Sequence, residues 1–181
     1  MKKYAADNLL FLREQYPKIY ELVRNAEYDR NAYVGEMAKN GQPNLIIQDG
    51  EAKSHMYSRY NPGLEAARWA ESVADDVADA DHVLLFGFGF GYHAQALMDA
   101  YPEKKLYIYE PEKDILLAAV EYADLRPVLQ NRQVAIFAVG AESAVQRQLL
   151  VQILKSIKGK MAFVAMPAYR KKYGTLISEF A

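Results

Sequence analysis

Three glycines and one acid are the residues of this chain best placed to do chemistry. The stretch VLLFGFGFGY, Val83 to Tyr92, runs an apolar segment into Gly87, Gly89 and Gly91, with Phe88 and Phe90 between them. Glycine at a turn from strand to helix allows a tight bend, lets a ligand reach the backbone and leaves helix N–H groups free for an anion. The next apolar segment, KLYIYE, ends in Glu110, nineteen residues beyond Gly91. An acid at that place can accept hydrogen bonds from ribose hydroxyls. His93, in the first turn of the following helix, lies where it could touch a bound ligand, although a polar residue there is more often on the helix surface. Gly87, Gly89, Gly91, His93 and Glu110 therefore form the candidate cofactor-binding set.

The spacing narrows the ligand class. A dinucleotide fingerprint would put its third glycine at position 92, which is Tyr. The observed G-x-G-x-G is closer to the first motif of S-adenosylmethionine-dependent methyltransferases, although the acid they usually carry two residues before the first glycine is replaced by Leu85. Glu142, after the segment ending VGAE, could approach a base edge. A phosphate-cradling P-loop is excluded, because no Gly-Lys-Ser/Thr follows the glycines. The reading is a nucleotide or an S-adenosylmethionine-like ligand. A second reading needs no ligand: the glycines pack a helix tightly over a strand, Phe88 and Phe90 fill core, and Glu110 belongs to an acidic helix start at EPEKD that suits the helix dipole.

Other chemistry is sparse. His55, His82 and His93 have no metal-ligand spacing, so no metal site is expected. There is no cysteine, which removes disulfides and thiolate chemistry. No G-x-S-x-G elbow presents a serine nucleophile. No catalytic residue is assigned. Two polar-aromatic segments remain. SHMYSRYNP, Ser54 to Pro62, either folds over the glycine turn or joins two parts of the chain. MPAYRKKY, Met166 to Tyr173, lies on the ligand side and reads as a solvated cationic first helical turn.

The elements that must position these residues follow from periodicity. Apolar residues between Asp7 and Ala26 recur at steps of three and four, the face of a helix that Pro17 must kink or split. From Tyr28 to Asn61, Asn40-Gly41 and Asp49-Gly50 separate short runs that read as a small antiparallel meander, with Pro43 near the start of its middle strand. A helix begins near Gly63 or Leu64 and ends before Asp79. Beyond it, HVLLFGF, KLYIYE, QVAIFAV and KMAFVAM alternate with helical segments, which means βαβ crossovers and a parallel sheet. The expected class is α/β: a Rossmann-like, mostly parallel sheet with helices on both faces, plus an N-terminal helix and a small antiparallel β-meander. Residues 1–78 form the extension and 79–181 the α/β domain, together one compact unit.

The 181 residues carry 22 Lys plus Arg against 23 Asp plus Glu, so bulk charge drives no nucleic-acid or anionic-membrane contact. No apolar run approaches membrane-spanning length. MKKYAADNLL does not read as a signal peptide. The lack of cysteine fits a cytoplasmic setting. Tyrosine is frequent, 14 of 181, and its wide apolar body with a polar tip suits surfaces that meet something.

HMYSRYNPGLEAARWA, LLFGFGFGYHAQAL, YIYEPEKDILLAAVEYADLR and MPAYRKKY resemble, in that order, the N-terminal portion of the motility accessory factor (Maf) proteins. The FGFGxGYH and EP elements are the most specific, and the resemblance runs from about Ser54 to Tyr173. It implies a role in flagellin glycosylation, in which the full-length protein transfers nonulosonic acids such as pseudaminic or legionaminic acid from a CMP-activated donor to serine or threonine of flagellin. Full-length members are longer and continue into a domain with a Gly-Pro-Ser motif, which does not occur here. The chain is thus expected to be the N-terminal domain alone, inactive by itself, supporting the catalytic domain, the acceptor or a homo-oligomer. The resemblance carries no catalytic residue onto these positions.

Overall fold

The computed structural model describes residues 3–180. Pro17 splits the first helical segment into α1 (Ala5–Gln15) and α2 (Pro17–Val23), with Pro17 at the first position of the second helix, where its missing N–H costs nothing. Asn8 fixes α1 to the rest of the chain. Its buried side chain donates to the Val120 and Ala123 carbonyls at 2.9 and 2.6 Å and accepts from the Leu125 amide at 3.1 Å. The apolar face of this helix is therefore buried within its own chain.

The meander forms as expected: β1 (Tyr33–Met37), β2 (Pro43–Asp49) and β3 (Ala52–His55) pair antiparallel in that order. Pro43 opens β2 and sits at the end of its pairing with β1, where a missing donor is tolerated. The helix after Asn61 is shorter than the sequence suggests. It divides into α3 (Pro62–Ser72) and α4 (Ala74–Val77), with the Asn61 side chain capping the Leu64 amide at 2.9 Å.

The remaining chain builds a four-stranded parallel sheet flanked by helices. Its strands are β4 (His82–Phe86), β5 (Lys105–Glu110), β6 (Val134–Val139) and β7 (Met161–Ala165), in the order β6-β5-β4-β7. The connecting helices are α5 (Tyr92–Ala100), α6 (Lys113–Tyr122) and α8 (Ser143–Ser156). A short α7 (Arg126–Leu129), started by Pro127, intervenes between α6 and β6, where the sequence suggests no element. The last helical segment breaks at Tyr173 into α9 (Pro167–Lys172) and α10 (Gly174–Phe180). β4 and β5 are almost wholly buried, as their continuous apolar sequences require under helical layers. One core cluster runs from Leu12 and Leu45 through β4 and β5 to Tyr169.

The strand order fixes where a ligand would sit. From β4 the chain steps to β5 and β6 on one side, then crosses to β7 on the other side of β4. Such a reversal opens a crevice beyond the strand carboxyl ends, here between β4 and β7. The glycine turn follows β4, and Met166 follows β7.

Candidate functional site: a glycine turn closed by its own chain

All three glycines have positive φ: 104° at Gly87, 57° at Gly89 and 95° at Gly91, the last immediately before α5. These are backbone conformations that side chains with a Cβ resist. The turn thus requires glycine for its path before any ligand is considered.

The amides of the turn show what the path is for. Gly87 donates to the Tyr109 carbonyl at 2.7 Å, continuing the ladder with β5. Phe88 and Gly89 both donate to Glu110 Oε1, at 3.0 and 2.8 Å. Phe90 donates to the Tyr57 hydroxyl at 2.8 Å, and Gly91 to the Phe88 carbonyl at 2.9 Å. The five amides of the turn itself, Gly87 to Gly91, thus all have acceptors in the chain.

Glu110 is the centre of this arrangement. It is fully buried. Besides the two turn amides, its Oε2 accepts from the Glu112 amide at 3.0 Å, and the Tyr169 hydroxyl lies 2.8 Å from both carboxyl oxygens. Burial pushes the carboxyl up to about 7, against the opposing pull of the Gly89 and Glu112 amides, the Tyr169 hydroxyl and the Phe88 amide. Tyr57 and Tyr169 are themselves held well above the ordinary phenol value by burial, so both remain neutral hydroxyls.

Side chains from two distant segments fill the crevice. A Cβ on Gly87 would come within 2.5 Å of the Tyr169 ring, and one on Gly89 would fall on the Tyr57 hydroxyl and within 2.9 Å of the Met56 sulfur. Met56, Tyr57, Met166 and Tyr169 are all buried. The close backbone approach that glycine allows is used by tyrosine and methionine of the same chain. Phe88 packs on Phe137 with ring centroids 5.0 Å apart, and Phe90 lies beside Tyr57 at 6.2 Å.

His93 is not a helix-surface residue. It is 2% exposed, stacked on Tyr57 at 5.7 Å and edge-on to Trp69 at 4.9 Å. Neither ring nitrogen has a hydrogen-bond partner, and burial lowers its pKa to about 4. It therefore serves as a neutral aromatic plate behind Tyr57. Glu142 is exposed and takes no part in the turn.

The structure thus gathers Gly87, Gly89, Gly91 and Glu110 into one constellation, with His93 one layer behind it. Sequence reasoning did not find Tyr57 and Tyr169 as the partners that complete it. The available signals were the tyrosine content and the two polar-aromatic segments that supply them. SHMYSRYNP does fold over the turn, through Met56 and Tyr57. In MPAYRKKY the cations occupy the last turn of α9, not the first as expected, because the helix starts at Pro167 and ends at Lys172, where cations suit the helix dipole; Tyr169 points inward and Lys172 with Tyr173 holds Glu112. Burial pulls the Glu112 carboxyl up, but Lys172 and Tyr173 together keep it below the ordinary value. A surface groove of about 370 Å3 lies elsewhere, between α3 and α5, and none of the three turn glycines lines it. Among the described residues, no group of three or more His, Asp or Glu is arranged to hold a metal ion, and no helix is long and apolar enough to cross a membrane.

Fold and site define a Rossmann-like domain whose ligand crevice is filled from within. A family profile described as the glycosyltransferase Maf N-terminal domain matches residues 64–171, and the chain belongs to that family. Its fold is similar to the structure of a Maf glycosyltransferase from Magnetospirillum magneticum AMB-1, with a TM-score of 0.66 over 98% of this chain at 15% identity. This chain spans 34% of that one, about a third of its length. No curated protein gives a significant match.

Proposed function

We propose that this chain is the N-terminal accessory domain of a Maf-type glycosyltransferase that acts in flagellin glycosylation. In this reading the longer protein transfers nonulosonic acids from CMP-activated donors to flagellin in the cytoplasm, and the transfer chemistry lies outside these residues. The closure of the glycine turn is the observation that carries the accessory role. A cofactor at this turn would need free amides, an available acid and an open crevice. Here the Phe88 and Gly89 amides hold Glu110, the Phe90 amide holds Tyr57, and Tyr169 covers Gly87.

The domain is therefore a scaffold, built on a nucleotide-binding topology, that supports catalysis done elsewhere. A thermal-shift titration with S-adenosylmethionine, CMP, a CMP-linked nonulosonic acid and simple nucleotides tests this. No saturable rise in midpoint is expected with any of them. A ligand present at a hundred times its Kd would add about 2.7 kcal/mol, which for a chain of this size raises the midpoint by roughly 5–10 °C. Such a rise with S-adenosylmethionine would establish the methyltransferase-like reading, and with a CMP compound a donor site in this domain.

A further inference from the structure

β6 forms one edge of the parallel sheet. Gly140 donates its amide to the Glu110 carbonyl of β5 at 2.9 Å, and Ala138 and Ile136, two and four residues earlier, face β5 in the same way. The backbone N–H and C=O groups of Phe137 and Val139 therefore point away from the sheet. A row of outward groups is a template for another strand, and proteins usually protect it with lysine, proline or a covering segment. VAIFAV contains no charge and no proline. Phe137 and Val139 are nearly buried, but α2 and α8 leave a groove of about 280 Å3 along the strand. Ile136 to Val139 form its floor, and Lys18, Ile19, Leu22, Gln148 and Gln152 stand in its walls; Lys18, the one cation among them, is exposed on α2 rather than on the strand.

The charges at the two ends of the strand indicate the occupant. Arg132 and Glu142 are both exposed, and each lies five residues from Phe137. Neither makes an ion pair among the described residues. A two-fold axis at Phe137 would set the Arg132 end of one strand against the Glu142 end of an antiparallel copy, twice over. A two-fold interface must be self-complementary in this way.

We propose that β6 pairs antiparallel with β6 of a second copy of this chain, centred on Phe137, so that the two parallel sheets become one continuous sheet. The backbone groups of Phe137 meet those of the copy, its ring stays in its own core, and the open groove admits the incoming strand between α2 and α8.

Sedimentation velocity on the chain over roughly 1–200 µM tests this directly, because that range spans weak to moderate dissociation constants. A reversible dimer is expected. Arg132→Glu and Glu142→Arg each replace two attractions with two repulsions and should weaken the dimer by about tenfold. The double exchange should restore it. Both positions are exposed, and circular dichroism checks that all three variants are folded. Leu154→Ser removes an exposed apolar side chain from α8, outside the pairing, and should leave the dimer unchanged. A folded wild-type chain that stays monomeric throughout overturns the proposal and leaves the edge to a different occupant. So does a dimer that ignores the single charge changes, is not restored by the double exchange, or is dissolved by Leu154→Ser.

Discussion

Glu110 and His93 are buried titratable groups with opposite demands on protons, and together they should hide each other's pH dependence. Burial holds Glu110 at about 7 rather than 4.5 and His93 at about 4 rather than 6.5. Between about pH 4.5 and 7, folded Glu110 keeps a proton that the unfolded chain has released. Its contribution is fully present below pH 4.5 and is lost as the pH rises through 7. Between about pH 4 and 6.5, the unfolded chain binds a proton that folded His93 refuses. That contribution is present above pH 6.5 and is lost as the pH falls through 4. Each displacement corresponds to about 3 kcal/mol across its whole window, or about 1.4 kcal/mol per pH unit. From pH 4.5 to 6.5 the two slopes oppose, so the unfolding free energy of the wild type should be nearly flat. Glu110→Gln removes the falling slope, and the unfolding free energy should then rise by about 2–3 kcal/mol over those two units. His93→Phe removes the rising slope, and stability should fall by a similar amount. In Glu110→Gln the introduced side-chain amide places a donor among donating N–H groups, so that variant sits lower at every pH. The slope, not the level, is the readout. Urea titrations followed by fluorescence of Trp69, the sole tryptophan, report directly, because its ring touches His93; far-UV circular dichroism checks two-state behaviour. A Glu110→Gln profile as flat as the wild type would refute the assignment of a retained proton to Glu110.

Three further substitutions probe the closed turn and its support. Gly89→Val should leave little folded protein, because a branched side chain must adopt φ near 57° and displace Tyr57 and Met56; a folded variant with a wild-type melting midpoint would show that the turn is not packed as described. Tyr169→Phe removes the hydroxyl that lies against both oxygens of a buried carboxyl and should cost about 1–3 kcal/mol, more at pH 8 than at pH 5, in the same urea assay. Asn8→Ala leaves two buried carbonyls and one buried amide without their partner, and should destabilise by roughly 2–3 kcal/mol, measured as a lower urea midpoint with unchanged slope.

The parallel sheet was legible because VLLF, KLYIYE and AFVA are unbroken apolar strands separated by helical periods. The meander was legible because Asn40-Gly41 and Asp49-Gly50 mark its turns. Helix breaks without strong punctuation were not. Val73 divides α3 from α4 in a stretch whose residues are individually good or neutral helix formers, and Tyr173 divides α9 from α10 with only the single Gly174 after it to mark the place. α7 escapes sequence reading because four residues carry too little periodicity to register. Within the site, the glycines and Glu110 announced a turn beside an acid, and the acid does meet the turn. The sequence could not rank ribose hydroxyls against the chain's own amides as the acid's partners, because that choice depends on Tyr57 and Tyr169, which arrive from 33 positions before Phe90 and 59 after Glu110. His93 reads as a surface residue because a polar residue in a first helical turn is ordinarily solvated. Here Tyr57 and Trp69 enclose it from other elements.

Backbone amide exchange at Phe88, Gly89 and Phe90, read residue by residue by NMR in the ligand-free chain and again with excess S-adenosylmethionine or CMP, tests the central claim most directly. A turn closed on Glu110 and Tyr57 requires all three amides to be protected without ligand, and requires their resonances to stay in place when either compound is added. Rapid exchange in the free chain, followed by saturable shifts and new protection on addition, would contradict it and make the turn a binding site.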